Sequence, residues 1–398
     1  MPKAGHVQQG FALAAWVLLV TSVVRLGSTL YLPALPALGN DLHLSVGTLS
    51  TTLTVFFAFF TLATLCAGPV VDGWGRRLVV RWGLLFFALG SAWCALAEGP
   101  IALLAGRALQ AIGAGVIPVA GRVIVRDAYE DHRMIGVLGW MGLLGSLIPI
   151  LSPIAGGFLV QHVSWRSTFH LLVLLAALSA WASWRSLPET LVEVRPLQLG
   201  SALRDYLHMA RSARFVWVMA PMSVCFTIQG VFFATAPHIF VTGFGLSPSA
   251  FGLAILVLVA ALVCGRSLSA LLLGKVSAYA LYLASSGLVA AGGVLMLGLQ
   301  VAGQVSMVSL LGATSLFCLG FGGLMPLGMR ALLSGWNERA GLASALFGCF
   351  TFGAMALGSG AVSLFALWMG DTLWILALLA AVFGMGAPAC AARTRQWL

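Results

Sequence analysis

Charged residues are scarce in this 398-residue chain, so their positions are the first guide to its chemistry. Arg25 and Arg107 both fall inside long apolar runs. An arginine at such a place costs about 2.5–3.5 kcal/mol on insertion scales, so it must face a protein interior or water. Arg25 is a natural receiver for an anionic or carbonyl-rich group, with Arg107 as a second donor. The alternative is that Arg25 bonds backbone carbonyls and tunes packing, and that Arg107 reaches back to the membrane interface. Tyr31, Gln229 and His238 complete the polar candidates. Gln229 suits either a bound molecule or a helix–helix hydrogen bond, and His238 titrates near neutral pH unless it only caps a helix end. All eleven acids lie in loops or at the ends of apolar runs, leaving no mid-run carboxylate to attract a cation or carry a proton. The seven cysteines show no CxxC spacing and read as small apolar residues, outside any disulfide or metal framework. No phosphate-binding Gly-rich loop is present, so nothing here uses ATP. These residue types recognise charge and shape; they point to no covalent chemistry, cofactor or metal.

The elements that position them are long apolar helices. Only 8% of residues are charged and mean hydropathy is +1.02, against roughly 25% charged in soluble domains. Lipid is therefore the outer solvent. A spanning helix takes about 20 residues, and the breaks at Pro, Gly and charge give about twelve spans: 11–33, 49–71, 79–97, 101–124, 134–160, 168–186, 215–237, 248–271, 277–299, 305–329, 341–367 and 372–391. The first run is too long for a signal peptide and many more follow it. The fold class expected is an all-α membrane protein of two six-helix bundles.

The net charge of +10 arises from topology. Basic residues from Lys3 through Arg76, Arg77, Arg126, Arg133, Arg204, Arg214 and Lys275 to Arg395 cluster on one side, while Arg166 alone marks the other. That asymmetry places both termini in the cytoplasm and argues against nucleic-acid binding. Residues 187–214 form the one sizeable polar break, separating an N-terminal bundle (1–186) from a C-terminal one (215–398). Within the break, the segment from Arg204 to Arg214 suits a short helix on the membrane surface. The halves also repeat. Gly115-Val-Ile-Pro118-Val-Ala-Gly-Arg122 matches Gly323-Leu-Met-Pro326-Leu-Gly-Met-Arg330, both reading GxxPxxxR, and Pro33 with Leu44-Ser45 matches Pro237 with Leu246-Ser247.

Three motifs add a family resemblance. Gly68-Pro-Val-Val-Asp72-Gly-Trp-Gly75-Arg76-Arg77 lies between spans two and three, where glycine makes the turn and two arginines hold the headgroups. It resembles the signature loop of the major facilitator superfamily. That resemblance implies a gate latched by charge contacts of the Asp72 and Arg76 positions. Arg107-Ala-Leu-Gln110-Ala-Ile-Gly113 looks like the RxxQGxG motif of the superfamily's proton-coupled drug antiporters, which implies a role for Arg107 in proton transfer. Pro149, Pro153, Gly156 and Gly157 in span five resemble the antiporter motif, with Ser152 where glycine is usual. The end of span one, through Leu30-Tyr31-Leu32-Pro33, and Arg126-Asp127 after span four are similar to the Bcr/CflA branch, which includes bicyclomycin and phenicol exporters. Leu30 stands where that branch has an acid, so the usual proton mechanism does not transfer unchanged.

Three functions stay open from the residues alone. The first is export of a small amphipathic drug or metabolite across a bacterial inner membrane, by alternating access with counter-moving protons, from a monomer. The second is uptake or exchange of a metabolite such as a nucleoside, siderophore or organic anion, and the third is a membrane sensor that no longer transports. Arg122, Arg266 and Arg330 are expected to snorkel near cytoplasmic ends.

Overall fold

A computed structural model describes residues 11–191, 199–336 and 340–398; Lys3, Glu193, Arg195, Glu338 and Arg339 lie outside them. The described chain is almost wholly helical. In order come α1 (Phe11–Thr29), a 3-10 turn (Leu32–Ala34), α2 (Leu35–Asp41), α3 (Val46–Trp74), α4 (Arg76–Ala95), α5 (Pro100–Ala128), α6 (Asp131–His162) and α7 (Arg166–Ser186). After them follow α8 (Leu199–Ala210), α9 (Ala213–Pro237), a π turn (His238–Gly243), α10 (Pro248–Leu272), α11 (Ala278–Val301), α12 (Met307–Leu333), α13 (Ala340–Phe365) and α14 (Thr372–Ala392). Eleven helical segments among the described residues are long and apolar enough to cross a membrane. The helix α6 adds a further apolar stretch, Leu147–His162.

The first span is longer than its apolar run. Pro33 and Pro36 each sit at the first turn of a new helical piece, where a missing N–H costs nothing. The chain bends there and continues as one span from Ala12 to Asp41. Arg25 therefore lies near mid-span, where the apolar run suggests a place two turns from the end. Side chains confirm that lipid replaces water outside: Trp74, Trp82, Trp93, Trp181 and Trp184 are exposed, whereas Trp16 and Trp165 are buried. The cysteines are all free; Cys94, Cys225 and Cys349 are buried, but Cys66 and Cys264 are exposed, contrary to a uniform buried reading.

Helices α1, α3, α4, α5, α6 and α7 pack among themselves, as do α9 to α14, and the two sets meet along α3–α13 and α6–α10. Glycine makes these crossings close. A Cβ at Gly157 would run into the Pro248 carbonyl oxygen, and one at Gly252 would lie 2.6 Å from that of Pro153. The α3–α13 seam is bonded by hydroxyls, Thr51 to Ser363 at 3.2 Å and Thr54 to Ser359 at 2.9 Å. Beside them the Phe60 and Phe352 rings stack with centroids 4.0 Å apart. At the end of the molecule away from the Asp72–Arg77 turn, the 3-10 turn and α2 also touch α9, the π turn and α10. At the Asp72–Arg77 end, α8 bridges by touching α3, α13 and α9. Tyr206 and Met209 of α8 are buried in a cluster with Phe215, Met219, Leu332 and Leu346. The short helix expected in this break is present: Tyr206 and Met209 turn inward, while Leu203, Arg204, Asp205, Leu207 and His208 are exposed.

Candidate functional site

Arg107 is fully buried, with no part of the side chain reaching an interface. Its guanidinium is clamped between the Tyr31 and Phe56 rings, 4.1 Å from each centroid. One terminal nitrogen donates to the Gly27 carbonyl at 2.9 Å and to Gln110 Oε1 at 2.5 Å. Gln110 in turn donates to Ser91 at 2.7 Å, and the Tyr31 hydroxyl pairs with Thr52 at 3.2 Å. Among the described residues, the remaining guanidinium nitrogens, Nε and Nη2, have no hydrogen-bond partner. Two desolvated cation–π contacts at about 2 kcal/mol each and a charge-assisted hydrogen bond at about 1.5–3 kcal/mol together offset the insertion cost. The snorkelling alternative is excluded, because the whole side chain is buried and aromatic rings cover both faces of the guanidinium. Gly113 explains itself by packing: a Cβ there would strike the Gly83 carbonyl of α4. Leu30 is buried, with its carbonyl against Gly156 of α6.

Span five's motif is a backbone junction. Gly156 faces α1 and adjacent Gly157 faces α10, so one turn of α6 touches both sets of helices. Pro149 and Pro153 lie inside α6 and free it to bend. Ser152, which departs from the expected glycine, is buried with its hydroxyl 2.5 Å from that of Thr29.

The turn between α3 and α4 is a charge cluster. Arg76 is buried, 3.4 Å from Asp72 and 3.2 Å from Asp127, and Arg126 lies 3.7 Å from Asp127. Gly75 adopts φ +93°, open to glycine and rarely to other residues. A Cβ there would also lie 2.8 Å from Glu189. The Glu189 carboxylate accepts from the backbone N–H groups of Arg76 at 3.0 Å and Arg77 at 3.1 Å, capping the positive end of α4. Gly68 has open space where a side chain would go. Sequence reasoning misses Glu189; its one signal is an acid just after span six, on the same face as the turn.

Arg122 also takes an unexpected place. A Cβ at neighbouring Gly121 would lie 3.1 Å from Thr21 and 3.4 Å from Val17 of α1, one turn from Arg25. Arg25 and Arg122 lie within electrostatic reach of one another. Arg122 also faces Tyr206 of α8 and Cys349 of α13, and Cys66 of α3 stands beside both. Its side chain is solvent-accessible. Burial pushes the Tyr206 phenol up to about 12, with the nearby Cys349 and Cys66 thiols adding and Arg122 opposing, so its hydroxyl remains a proton donor at neutral pH. The repeat partner Arg330 is exposed in the last turn of α12.

Two other candidates stand apart. Gln229 is half-buried midway along α9. His238 opens the π turn and lines a cavity of about 320 Å³ with Asp371, Thr372 and Phe244. Among the described residues, no three His, Cys, Asp or Glu side chains gather as a metal site.

Rows of spanning helices meeting along two glycine- and hydroxyl-rich seams, with charge inside and a charged turn at one end, define a polytopic membrane transporter fold. The family model of the Major Facilitator Superfamily matches residues 17–359, and the chain belongs to that family. It is 28% identical over 369 residues to a chloramphenicol resistance protein of Pseudomonas aeruginosa, covering 92% of this chain and 87% of the relative. It is 29% identical over 372 residues to multidrug resistance protein MdtL of Salmonella typhimurium, covering 91% and 86%. Among solved structures, a peptide transporter POT in complex with sulfate superposes with TM-score 0.76 at 17% identity over 98% of this chain and 97% of that one. A D-xylose-proton symporter gives 0.70 at 14% identity over 95% and 97%. These two share the fold.

Proposed function

We propose that the chain is a secondary transporter of a bacterial inner membrane that exports a small amphipathic compound by alternating access. The observation that carries this reading is the pair of seams, α3–α13 and α6–α10, along which the two helix sets meet. Transporters of repeated bundles bind substrate between the repeats and rock about that site. The names of the drug-resistance relatives support export as the direction. We read twelve spans, with residues 1–186 and 215–398 as the moving bodies and 187–214 as their cytoplasmic linker. The positive-inside asymmetry puts the Asp72–Arg77 turn and both termini in the cytoplasm. On that orientation the seal formed by α2, the π turn and α10 closes the periplasmic side. The Asp72–Arg76–Asp127–Glu189 cluster then acts as the gate, with Arg126 and Arg77 at its edge. Energy comes from an ion gradient, protons being the expected counter-ion, and the protein works as a monomer. Expression in a drug-hypersusceptible host tests the reading: minimum inhibitory concentrations of one or more amphipathic drugs rise, and Asp72→Asn abolishes the rise. No change for any compound, together with no flux in proteoliposomes, contradicts it.

A second reading has its own support. Arg25 and Arg122 are two cations within reach of one another, and the groups acting on Arg122 among the described residues include no carboxylate. That arrangement favours exchange of an organic anion over proton-driven removal of a cation. Flux at two pH values, inside and out, separates the two.

A further inference from the structure

Where α4 and α7 meet, at the Asp72–Arg77 end, the outer face carries positive charge that the protein does not neutralise. Arg77 and Arg81 stand one turn apart on α4 and are part-exposed. Arg81 crosses to α7, donating to the Trp184 carbonyl at 3.3 Å, with its guanidinium 4.9 Å from that ring's centroid. Arg185, exposed, lies over Trp181 at 4.5 Å. Among the described residues, none of these three arginines pairs with a carboxylate. The acids of this end are already engaged. Asp72 and Asp127 hold Arg76, and both oxygens of Glu189 accept from backbone N–H groups. Among the described residues, Nε of Arg77 and of Arg81 is buried without a hydrogen-bond partner. The protein thus dehydrates these two cations on one side and supplies no anion, which raises the gain from an anion on the open side.

The surface beside them is apolar. Leu78, Trp82 and Leu85 of α4 are exposed, and so are Leu174, Leu178 and Trp181 of α7. Each set has i, i+4, i+7 spacing and so makes one row along its helix. Guanidinium forks match phosphate oxygens, tryptophan rings settle at headgroup depth, and clustered basic residues at a membrane boundary attract anionic lipid. The complementary partner is a molecule with an anionic phosphate and apolar tails.

We propose that this α4–α7 face binds an anionic phospholipid, its phosphate held by Arg77, Arg81 and Arg185 and its acyl chains laid along the two apolar rows. The site is independent of the cargo and of the direction of transport. It also bears on the turn between α3 and α4. The last turn of α7 leads through Leu187 to Glu189, so a phosphate bridging α4 and α7 steadies the cap on α4. Arg76, drawn into its own ion pairs, takes no part. Arg393 is an exposed arginine 4.3 Å from the Trp217 ring, a single cation on a single ring, and serves as the internal control.

The test uses the full-length protein in a neutral detergent, titrated with dioleoyl phosphatidylglycerol, dioleoyl phosphatidylcholine or inorganic phosphate. Retained lipid is read by native mass spectrometry, and thermal melting is followed on the same samples. Phosphatidylglycerol is retained and raises the melting temperature; phosphatidylcholine and inorganic phosphate do neither. Arg185→Gln and Arg77→Gln each weaken retention by about fivefold, the effect of one basic residue at an anionic surface, and the pair by about twentyfold. Arg81→Gln also severs the bond to α7, so Arg81→Lys, which keeps the charge, is measured beside it and retains more lipid. Arg393→Gln matches the parent. Should the double variant fail to fold, Arg185→Gln, altered only at an exposed side chain, still decides. Equal retention of the two lipids, an equal shift with inorganic phosphate, full retention by Arg185→Gln, or an equal loss in Arg393→Gln overturns the proposal.

Discussion

Arg107 and Arg122 stand fifteen residues and about 22 Å apart along α5. Around Arg107 the helix is packed against α4 through Gly106 and Gly113 and roofed by Tyr31 and Phe56, so the charge is satisfied by rings, one carbonyl and one amide. Arg122 is solvent-accessible instead, and the groups within electrostatic reach of it come from α1, α8 and α13. One helix therefore uses the same side chain as an internal rivet at one end and as an accessible cation toward the other. What separates the two is the neighbourhood: aromatic rings and small residues close a site, whereas a junction between moving bodies keeps it wet.

The largest expected effect breaks that comparison at its rivet. Arg107→Ala leaves a void between Tyr31 and Phe56 and costs about 3 kcal/mol, read as a lower melting temperature and reduced recovery by size exclusion. Arg122→Ala changes stability by less than about 0.5 kcal/mol while abolishing transport. Equal melting of the two variants would erase the distinction. The glycine pair on α6 comes next. Gly156→Ala drives a methyl into the Leu30 carbonyl and costs about 1–3 kcal/mol. Gly157→Ala acts instead across the α6–α10 seam on Pro248; if the helix sets move as bodies, the α3–α13 seam loosens with it and maleimide labelling of a Thr54→Cys variant rises, and unchanged labelling would show that the two seams do not open together. At the gate, Glu189→Gln weakens the cap on α4 by about 1 kcal/mol and lowers flux severalfold with little change in melting. Ser152→Ala, which removes the bond to Thr29, is the smallest, at about 0.6 kcal/mol.

Much of the fold is readable because lipid simplifies the alphabet: apolar runs of about 20 residues, punctuated by Pro and Gly, give the helices directly. The first span reads short because Pro33 and Pro36 look like an ending. In the structure each proline ring starts a new helical turn, and only the three-dimensional path reveals Arg25 at mid-span. Arg107 and Gln110 are visible as a motif, but the rings that seal them come from Tyr31 and Phe56, 76 and 51 positions away in the chain. Arg122 is legible as a repeated arginine, not as Arg25's neighbour, because the repeat gives the same letter to Arg330, which is exposed at the end of α12. Glu189 and Tyr206 lie in the polar break, where no periodicity marks which side chain turns inward.

The most direct test of an open Arg122 end and a closed Arg107 end is charge-selective thiol labelling along α5. In a cysteine-free background, Arg122→Cys and Ala111→Cys are exposed to membrane-impermeant anionic and cationic methanethiosulfonates from the side of the Asp72–Arg77 turn. Arg122→Cys should react, faster with the anionic reagent because Arg25 remains, and Ala111→Cys, beside the buried Gln110, should stay unlabelled. Labelling at Ala111→Cys, or an Arg122→Cys that is inert or prefers the cationic reagent, would contradict the account.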